Sequence, residues 1–398
     1  MIKREHEWRL RLLPLVVLWL SGVYLRLTIL VLPPIAPDIM AELLLNQTQV
    51  GLLTTIPVLM LSLAALPGAY LIARLGARNA LVFALLIATI GSVARIFVPP
   101  IPVLFVATAV LGFGIAVMQP AFPALVLRWC PGFTALGSAV YMNGMLLGEF
   151  IGGGLTLPFV MPLVGDSWRG ALLFWSLPAI PIAALMLMSA RIGIRETSEG
   201  ETIATPAVPA WKQARVWQLG IVLGAASAGY FGTNAYMATL LANAGSAELL
   251  AEYLAVFNGT QVVGSISMLW LASRWVGRAG PIRVSTAGVL LSLAGASVLT
   301  GYGLLASLVV LGFSTCIQLI LAVGLVPQIV DEREAAPLAA GMFAVGYLLG
   351  FVVPLGSGLL ADATGNSNLI LAPLVLLAAI ALVIAMISPH MGRSVKAA

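Results

Sequence analysis

The chain has 398 residues, of which 61% are hydrophobic and only 9% are charged. Soluble domains carry about 25% charged residues, so no soluble core could absorb this much apolar surface, and lipid must be the solvent. The net charge of +5 therefore does not indicate nucleic-acid binding, and we expect no nucleic-acid partner. The two cysteines and two histidines match no disulfide or metal spacing, and we expect neither a metal nor a cofactor.

Long apolar segments recur along the whole chain. Each needs roughly 20 apolar residues to span the bilayer, and Gly, Pro and charged residues separate them, as Pro33-Pro34 does after the first. The segments are 12–32, 49–71, 79–98, 102–127, 134–160, 170–190, 217–241, 252–272, 284–301, 303–327, 338–360 and 368–388. The sequence thus predicts an all-α membrane protein with twelve transmembrane helices.

The placement of lysine and arginine predicts the orientation. With the N-terminus in the cytoplasm, 17 of the 20 basic residues fall on the cytoplasmic side. They are Lys3, Arg4, Arg9, Arg11, Arg74, Arg78, Arg128, Arg191, Arg195, Lys212, Arg215, Arg274, Arg278, Arg283, Arg333, Arg393 and Lys396. The opposite loops keep only Arg169, and Arg26 and Arg95 fall inside helices. We therefore expect a multi-pass protein of the bacterial inner membrane with both termini in the cytoplasm.

The longest polar stretch, 191–215, divides the chain into halves of six helices each, 1–190 and 216–398. Its composition predicts a flexible cytoplasmic linker. Small residues of the fifth predicted helix recur in the eleventh at an offset of 202 residues: Gly144, Gly148 and Gly152 correspond to Gly346, Gly350 and Pro354. Parallel repeats are typical of transporters with a midplane substrate site between the halves, although small-residue spacing also recurs wherever helix backbones approach closely.

Twelve helices, a six-plus-six division and a basic loop after the second helix resemble the major facilitator superfamily. Its loop signature G-x-x-x-D-R-x-G-R-R is retained at Arg74, Gly76 and Arg78, while alanine stands at 69, 73 and 77. Its fifth-helix signature G-x-x-x-G-P-x-x-G-G is similar to residues 144–153, with Glu149 in place of the Pro. The resemblance implies the major facilitator fold, two pseudo-symmetric six-helix bundles, and transport by alternating access.

A narrower resemblance is to the cyanate and 2-nitroimidazole transporter family within that superfamily. The segments that carry it are 25–28 with Pro33-Pro34, 49–57, Arg95 before Pro99, 138–141 with Tyr141 at its end, 346–349 and 362–366. It implies a small, compact substrate, often an anion.

Arg26 is the strongest candidate for the substrate site. A charge at bilayer depth costs a few kcal/mol and commonly marks a substrate or ion pathway. Counted along an ideal helix, Arg26 lies ~22 Å from the cytoplasmic end and ~10 Å from the other, too far to snorkel easily. The resemblance implies that the first helix lines the central cavity. Two interpretations stay open: an anion-binding charge, or a structural ion pair with Glu149.

Glu149 and Arg95 are the other charged candidates. Glu149 is predicted near mid-membrane, where it would pair with Arg26, serve as a proton-coupling carboxylate, or hydrogen-bond Asn258 or Gln261. Arg95 lies ~6 Å from its helix end, so we expect it to snorkel to the outer interface. The alternative is a charge at the outer mouth that attracts anions.

A small anion needs several donors to replace its water, and uncharged polar residues within the predicted helices supply candidates. They are Gln119, Tyr141, Tyr230, Asn234, Gln318 and Tyr347. By the resemblance, the fourth and tenth helices, which contain Gln119 and Gln318, line the cavity. Each candidate could equally hold helices together.

We therefore predict a secondary active transporter for a small anion or compact polar solute, cyanate-like or nitroimidazole-like. Import by proton symport would offset the charge that an anion carries, but the coupling stays open. We expect a monomer in the bilayer. Proton-driven efflux of small organic compounds or drugs is the alternative, favoured by Glu149 and disfavoured by Arg26. An enzyme is not expected, because the sequence has no metal-binding histidine pair, no nucleophile–base motif and no phosphate-binding loop.

Overall fold

The computed structural model describes residues 2–63, 65–97, 100–130, 134–189, 209–330 and 332–388. Side chains are described from residue 12 onward, except at positions 65, 66, 69, 134, 135, 189, 273, 327, 332, 333 and 336. Within these ranges the chain is helical and contains no β-strand, which confirms the predicted all-α class. Residues 191–208 of the predicted linker lie outside the described ranges, as do Arg393 and Lys396. The remainder of that linker leads into a helix that begins at Ala214.

The helices follow the predicted segments in order. The N-terminal half comprises α1 (Ile2–Leu30), α2 (Leu32–Leu43), α3 (Gln47–Leu63), α4 (Ala65–Leu75), α5 (Ala77–Ala94), α6 (Ile101–Trp129), α7 (Thr134–Leu155), α8 (Met161–Leu163), α9 (Trp168–Ser176) and α10 (Ala179–Ser189). The C-terminal half comprises α11 (Ala214–Asn243), α12 (Leu250–Trp275), α13 (Ala279–Val298), α14 (Gly301–Ile329), α15 (Glu332–Thr364) and α16 (Ala372–Ile387). A π-helical turn, Thr156–Val160, joins α7 to α8.

Ten helical stretches in the described ranges are long and apolar enough to cross a membrane. The other two predicted crossings are α3 with α4, where α3 alone is apolar but only 17 residues long, and the 30-residue α11. Helix α11 packs against α14, α15, α16, α2 and α3, so its polar side chains face protein instead of lipid. The lower hydropathy of α11 therefore reflects a central position in the bundle.

The first crossing is longer than the sequence predicted. Pro33-Pro34 does not end it: Val31 N donates to Leu27 O at 3.0 Å, and α2 continues to Leu43 with proline in its first turn. Proline is tolerated there because the first turn has no intrahelical acceptor for its missing N–H. The apolar stretch Leu12–Leu43 places Arg26 ~21 Å from one end and ~26 Å from the other. Arg26 therefore lies well inside this helical stretch, far from both of its ends.

Helix pairing repeats between the halves. In the N-terminal half α1 packs on α7, α5 on α6, α3 on α6, and α10 on α1 and α5. In the C-terminal half α11 packs on α15, α13 on α14, α12 on α14, and α16 on α11 and α13. The halves meet where α3 packs on α15 and α12 on α7. The pair α1 and α7 in the first half is thus equivalent to the pair α11 and α15 in the second.

Helices α1 and α7 are in backbone contact along the repeated glycines. A Cβ at Gly144 or Gly148 would collide with the carbonyl oxygens of Trp19 and Val23. At Gly152 it would lie 2.6 Å from the carbonyl oxygen of Leu27. Since carbonyl oxygens cannot rotate away as a side chain can, these glycines fix how closely α1 and α7 approach.

Substitution of Gly148 by alanine is expected to lower the thermal unfolding temperature in detergent, because overpacking against backbone costs about 1–3 kcal/mol. Gly356→Ala is the matched control, since this helical glycine has no atom within 4 Å of the added Cβ. It should be neutral or slightly stabilising. Equal unfolding temperatures for the two variants would contradict the close contact.

The two halves are also joined on the side of the membrane opposite the described chain ends. Asp362, near the end of α15, accepts hydrogen bonds from Gln47 N at 3.2 Å and Thr48 N at 2.8 Å. Its carboxylate also accepts from Thr48 Oγ1 at 2.5 Å. Tyr236 of α11 donates to Pro354 O at 2.7 Å nearby. Asp362 thus caps the N-terminus of α3 from the other half of the chain.

Asp362→Ala is expected to destabilise the protein by about 1–2 kcal/mol, the usual cost of removing a helix cap. The measurement is the thermal unfolding temperature of the purified protein. Asp38→Ala provides the control, because Asp38 is an exposed carboxylate near the same side of the molecule. If both variants unfold at the wild-type temperature, Asp362 does not contribute through this cap.

Candidate functional site

A cavity of about 40 Å³ lies between the halves at the centre of the molecule. The polar residues that line it are Arg26 and Glu149 from α1 and α7, and Ser227, Tyr230, Gln261, Thr315 and Tyr347 from α11, α12, α14 and α15. Such a volume holds roughly three water molecules. No group of three or more His, Cys, Asp or Glu side chains suited to a metal occurs in the described part of the chain.

Arg26 is buried in this cavity, with 4% of its surface exposed. Its Nε lies 3.6 Å from Glu149 Oε1, and one Nη donates to the Tyr347 hydroxyl at 3.5 Å. The other Nη has no hydrogen-bond partner, and the guanidinium lies 5.7 Å from the centre of the Phe231 ring. A guanidinium has five N–H donors, so most of the hydrogen-bonding capacity of Arg26 is unused.

Glu149 is equally buried and joins a polar network that leads into the C-terminal half. The Tyr230 hydroxyl donates to Asn258 Oδ1 at 2.6 Å and also lies within reach of the Glu149 carboxylate. Asn258 in turn donates to Asn234 Oδ1 at 3.0 Å. Since a hydroxyl has a single proton, Tyr230 can donate to Asn258 or to Glu149, but not to both.

Tyr347 of α15 forms another part of the cavity wall, and Gln119 lies behind it. The Tyr347 hydroxyl accepts from Arg26 and from Gln119 Nε2, the latter at 3.1 Å. Its own proton therefore remains available to another acceptor. Gln119 itself does not line the cavity and reaches it through Tyr347.

Besides Gln119, three of the sequence-predicted binding residues lie outside the cavity. Tyr141 stacks on Phe122 with ring centroids 5.0 Å apart. Gln318 donates to Val222 O at 2.6 Å and joins α14 to α11. Asn234 accepts from Asn258 Nδ2 at 3.0 Å and so joins α11 to α12 behind the cavity wall. In this structure these side chains connect helices, which is the alternative that the sequence left open.

Arg95 does not snorkel, contrary to the sequence-based expectation. Its side chain has 0% of its surface exposed, and one Nη donates to Ser92 Oγ at 2.9 Å. Ser92 also accepts from Ser176 Oγ at 2.7 Å. Arg95 is close to the end of α5, but this short distance did not predict its exposure. Helix α9 packs on α5 and buries the side chain. An outer-mouth role for Arg95 remains a prediction.

The loop motif after the second predicted crossing forms the turn between α4 and α5. Gly76 precedes α5 with a φ of 76°, a conformation that L side chains rarely adopt. Arg74 lies 4.7 Å from the centre of the Tyr70 ring. Arg78 has a buried Nε without a hydrogen-bond partner in the described structure. The glycine is therefore explained by the turn geometry.

Ser227, Phe231 and Thr315 line the cavity but were not among the sequence-predicted residues. Ser227 lies three residues before Tyr230 and four before Phe231, so it shares a face of α11 with each of them. Helical spacing from Tyr230 would have identified Ser227, whereas Phe231 is the next residue along the chain and would not have been found in this way. Thr315 lies three residues before Gln318, but no sequence signal showed which of the two faces the cavity.

Residues 18–274 match the model of the Major Facilitator Superfamily. The chain is 25% identical over 367 residues to the cyanate transport protein CynX of Escherichia coli (strain K12), covering 88% of this chain and 91% of that protein. It is 27% identical over 379 residues to the 2-nitroimidazole transporter of the same organism, covering 93% and 92%.

The fold is similar to the crystal structure of a bacterial homolog of the human lysosomal transporter Spinster in its inward-facing, unoccupied conformation. The TM-score is 0.73 at 15% identity, covering 96% of this chain and 98% of that one. The family match covers more than half of the chain. The helical architecture and the repeated helix pairing are consistent with it. The chain belongs to the Major Facilitator Superfamily, and it is therefore a multi-pass membrane transporter and not an enzyme.

Proposed function

We propose that this protein is a secondary active transporter that moves a small anion, or a compact polar solute, through the central cavity by alternating access. Arg26 binds the anion, and the halves 1–190 and 216–398 move about the site. We further propose that it works as a monomer in a bacterial inner membrane, with both termini in the cytoplasm. The basic residues concentrated on one side of the membrane support this orientation.

The observation that carries the proposal is the incomplete pairing of Arg26. Its ion pair with Glu149 is long, at 3.6 Å, and its best hydrogen bond is 3.5 Å. Buried donors without partners cost free energy, and a buried charge costs more. A small anion in the adjoining cavity would supply the missing acceptors, with charge-assisted hydrogen bonds.

Cavity size limits the class of substrate. With room for roughly three water molecules, the cavity of about 40 Å³ suits a solute of three or four heavy atoms. Cyanate has three, and the relative named as a cyanate transport protein supports an anion of this kind. The relative named as a 2-nitroimidazole transporter favours a second candidate, a compact neutral solute, for which the cavity would have to widen.

Glu149 gives the site a means of proton coupling. The carboxylate and an incoming anion compete for the same guanidinium, so protonation of Glu149 would free Arg26 for the anion. The protonated carboxyl can donate to the Tyr230 oxygen while Tyr230 donates to Asn258. One proton and one monovalent anion would then cross together, which offsets the charge moved against a negative-inside potential.

Uptake into proteoliposomes tests the proposal. Purified protein should take up radiolabelled cyanate, and nitrate and formate should compete because they match it in charge and approximate size. Sulfate and glucose should not compete, and protein-free liposomes set the background. An inward proton gradient should drive accumulation. Transport of 2-nitroimidazole without any small anion would favour the neutral substrate, and export under the same gradient would favour efflux of small organic compounds.

A further inference from the structure

Ser227 differs from most buried hydroxyl residues of this protein. A serine or threonine inside a helix usually donates back to a carbonyl three or four residues earlier. Thr28, Thr54 and Thr315 do so at 2.8–3.2 Å. The Ser227 hydroxyl has no hydrogen-bond partner in the described structure, although only 8% of the residue is exposed. It lines the central cavity.

The Ser227 hydroxyl fits against α15 only because the facing residue has no side chain. Gly350 of α15 lies directly opposite, and a Cβ there would collide with Ser227 Oγ. The hydroxyl therefore occupies space that a larger residue at position 350 would take. A buried hydroxyl without a partner costs free energy, so an acceptor placed in the cavity would satisfy it.

Other polar groups of the cavity wall are already engaged. Gln261 Nε2 donates to Thr315 Oγ1 at 3.0 Å, and Thr315 donates to a backbone carbonyl. Tyr230 donates to Asn258. Donors without a partner are thus left on Arg26 in the N-terminal half and on Ser227 and Tyr347 in the C-terminal half.

We propose that Ser227 is a substrate-binding residue that donates a hydrogen bond to the anion held by Arg26. This inference rests on the proposed function. The bound anion would then connect α1 of the N-terminal half with α11 of the C-terminal half. A ligand that needs both donors favours the conformations in which both reach it. Binding would therefore bias the relative position of the two halves.

The test compares anion affinity in two serine variants. Ser227→Ala should weaken cyanate and nitrate binding about 10- to 100-fold, the usual effect of one hydrogen bond to a charged group. The protein should keep its thermal unfolding temperature without ligand, because Ser227 has no partner to lose. Ser21→Ala is the matched control: Ser21 is a buried helical serine with no hydroxyl partner, and it does not line the cavity. It should bind both anions like the wild type.

Titration calorimetry of the purified proteins separates the outcomes. If Ser227→Ala binds as tightly as Ser21→Ala while Arg26→Ala has lost binding, Ser227 is not a substrate ligand and the proposed function stands. A lower unfolding temperature for Ser227→Ala with unchanged anion affinity would assign it a structural role instead. If the wild type binds none of the anions, both proposals fail.

Discussion

Replacement of Arg26 by alanine is expected to reduce anion binding and uptake by at least about 100-fold. The guanidinium is the positive charge on the cavity wall, and the cavity offers no second cation among its lining residues. Arg26→Lys should retain part of the affinity, since it preserves the charge but not the fork of donors. The measurements are cyanate binding by titration calorimetry and uptake in proteoliposomes.

Two controls separate loss of binding from loss of folding. Arg26→Ala alone leaves Glu149 buried without its cation, which costs about 3–5 kcal/mol. The double variant Arg26→Ala with Glu149→Gln removes that unpaired charge, so it should regain stability without regaining anion binding. Arg95→Met is the matched control, because Arg95 is a buried arginine of the same half that does not line the cavity. Full anion transport by Arg26→Ala would refute the proposed function.

Glu149→Gln is expected to separate anion binding from proton coupling. Glutamine keeps the size of the side chain but cannot compete for Arg26 as an anion. Anion affinity should therefore rise and lose its dependence on pH, whereas in the wild type it should strengthen as the pH falls. Accumulation driven by a proton gradient should be lost while exchange of anion across the membrane persists. The measurements are binding at several pH values, gradient-driven uptake, and counterflow.

A purely structural role of Glu149 leads to a different result. If the carboxylate only neutralises Arg26, its removal should lower the unfolding temperature and leave gradient-driven accumulation intact. Tyr230→Phe refines the comparison, because it removes the hydroxyl that lies between Glu149 and Asn258. Under the coupling proposal it should slow proton-driven uptake more than counterflow. Equal slowing of both would assign Tyr230 to substrate binding alone.

The sequence predicted the helices well because membrane crossings follow from local apolar length. It erred at Pro33-Pro34, where proline in a first turn costs no hydrogen bond, and at Arg95, where a neighbouring helix buries the side chain. It also identified Arg26 and Glu149 as deep charges. Their 3.6 Å separation depends on how α1 packs against α7, which the glycine contacts govern.

The sequence by itself determined the membrane class and the helical segments, and it showed that Arg26 is an unusual charge inside an apolar segment. Each of these properties depends only on nearby residues and on the solvent. Tertiary structure decided which polar side chains face the cavity. Gln318 and Thr315 lie one turn apart on α14, yet Thr315 lines the cavity and Gln318 bonds a carbonyl of α11. Which side chain faces the cavity depends on how each helix is rotated about its axis within the bundle. That rotation is set by packing against helices that are distant in the sequence.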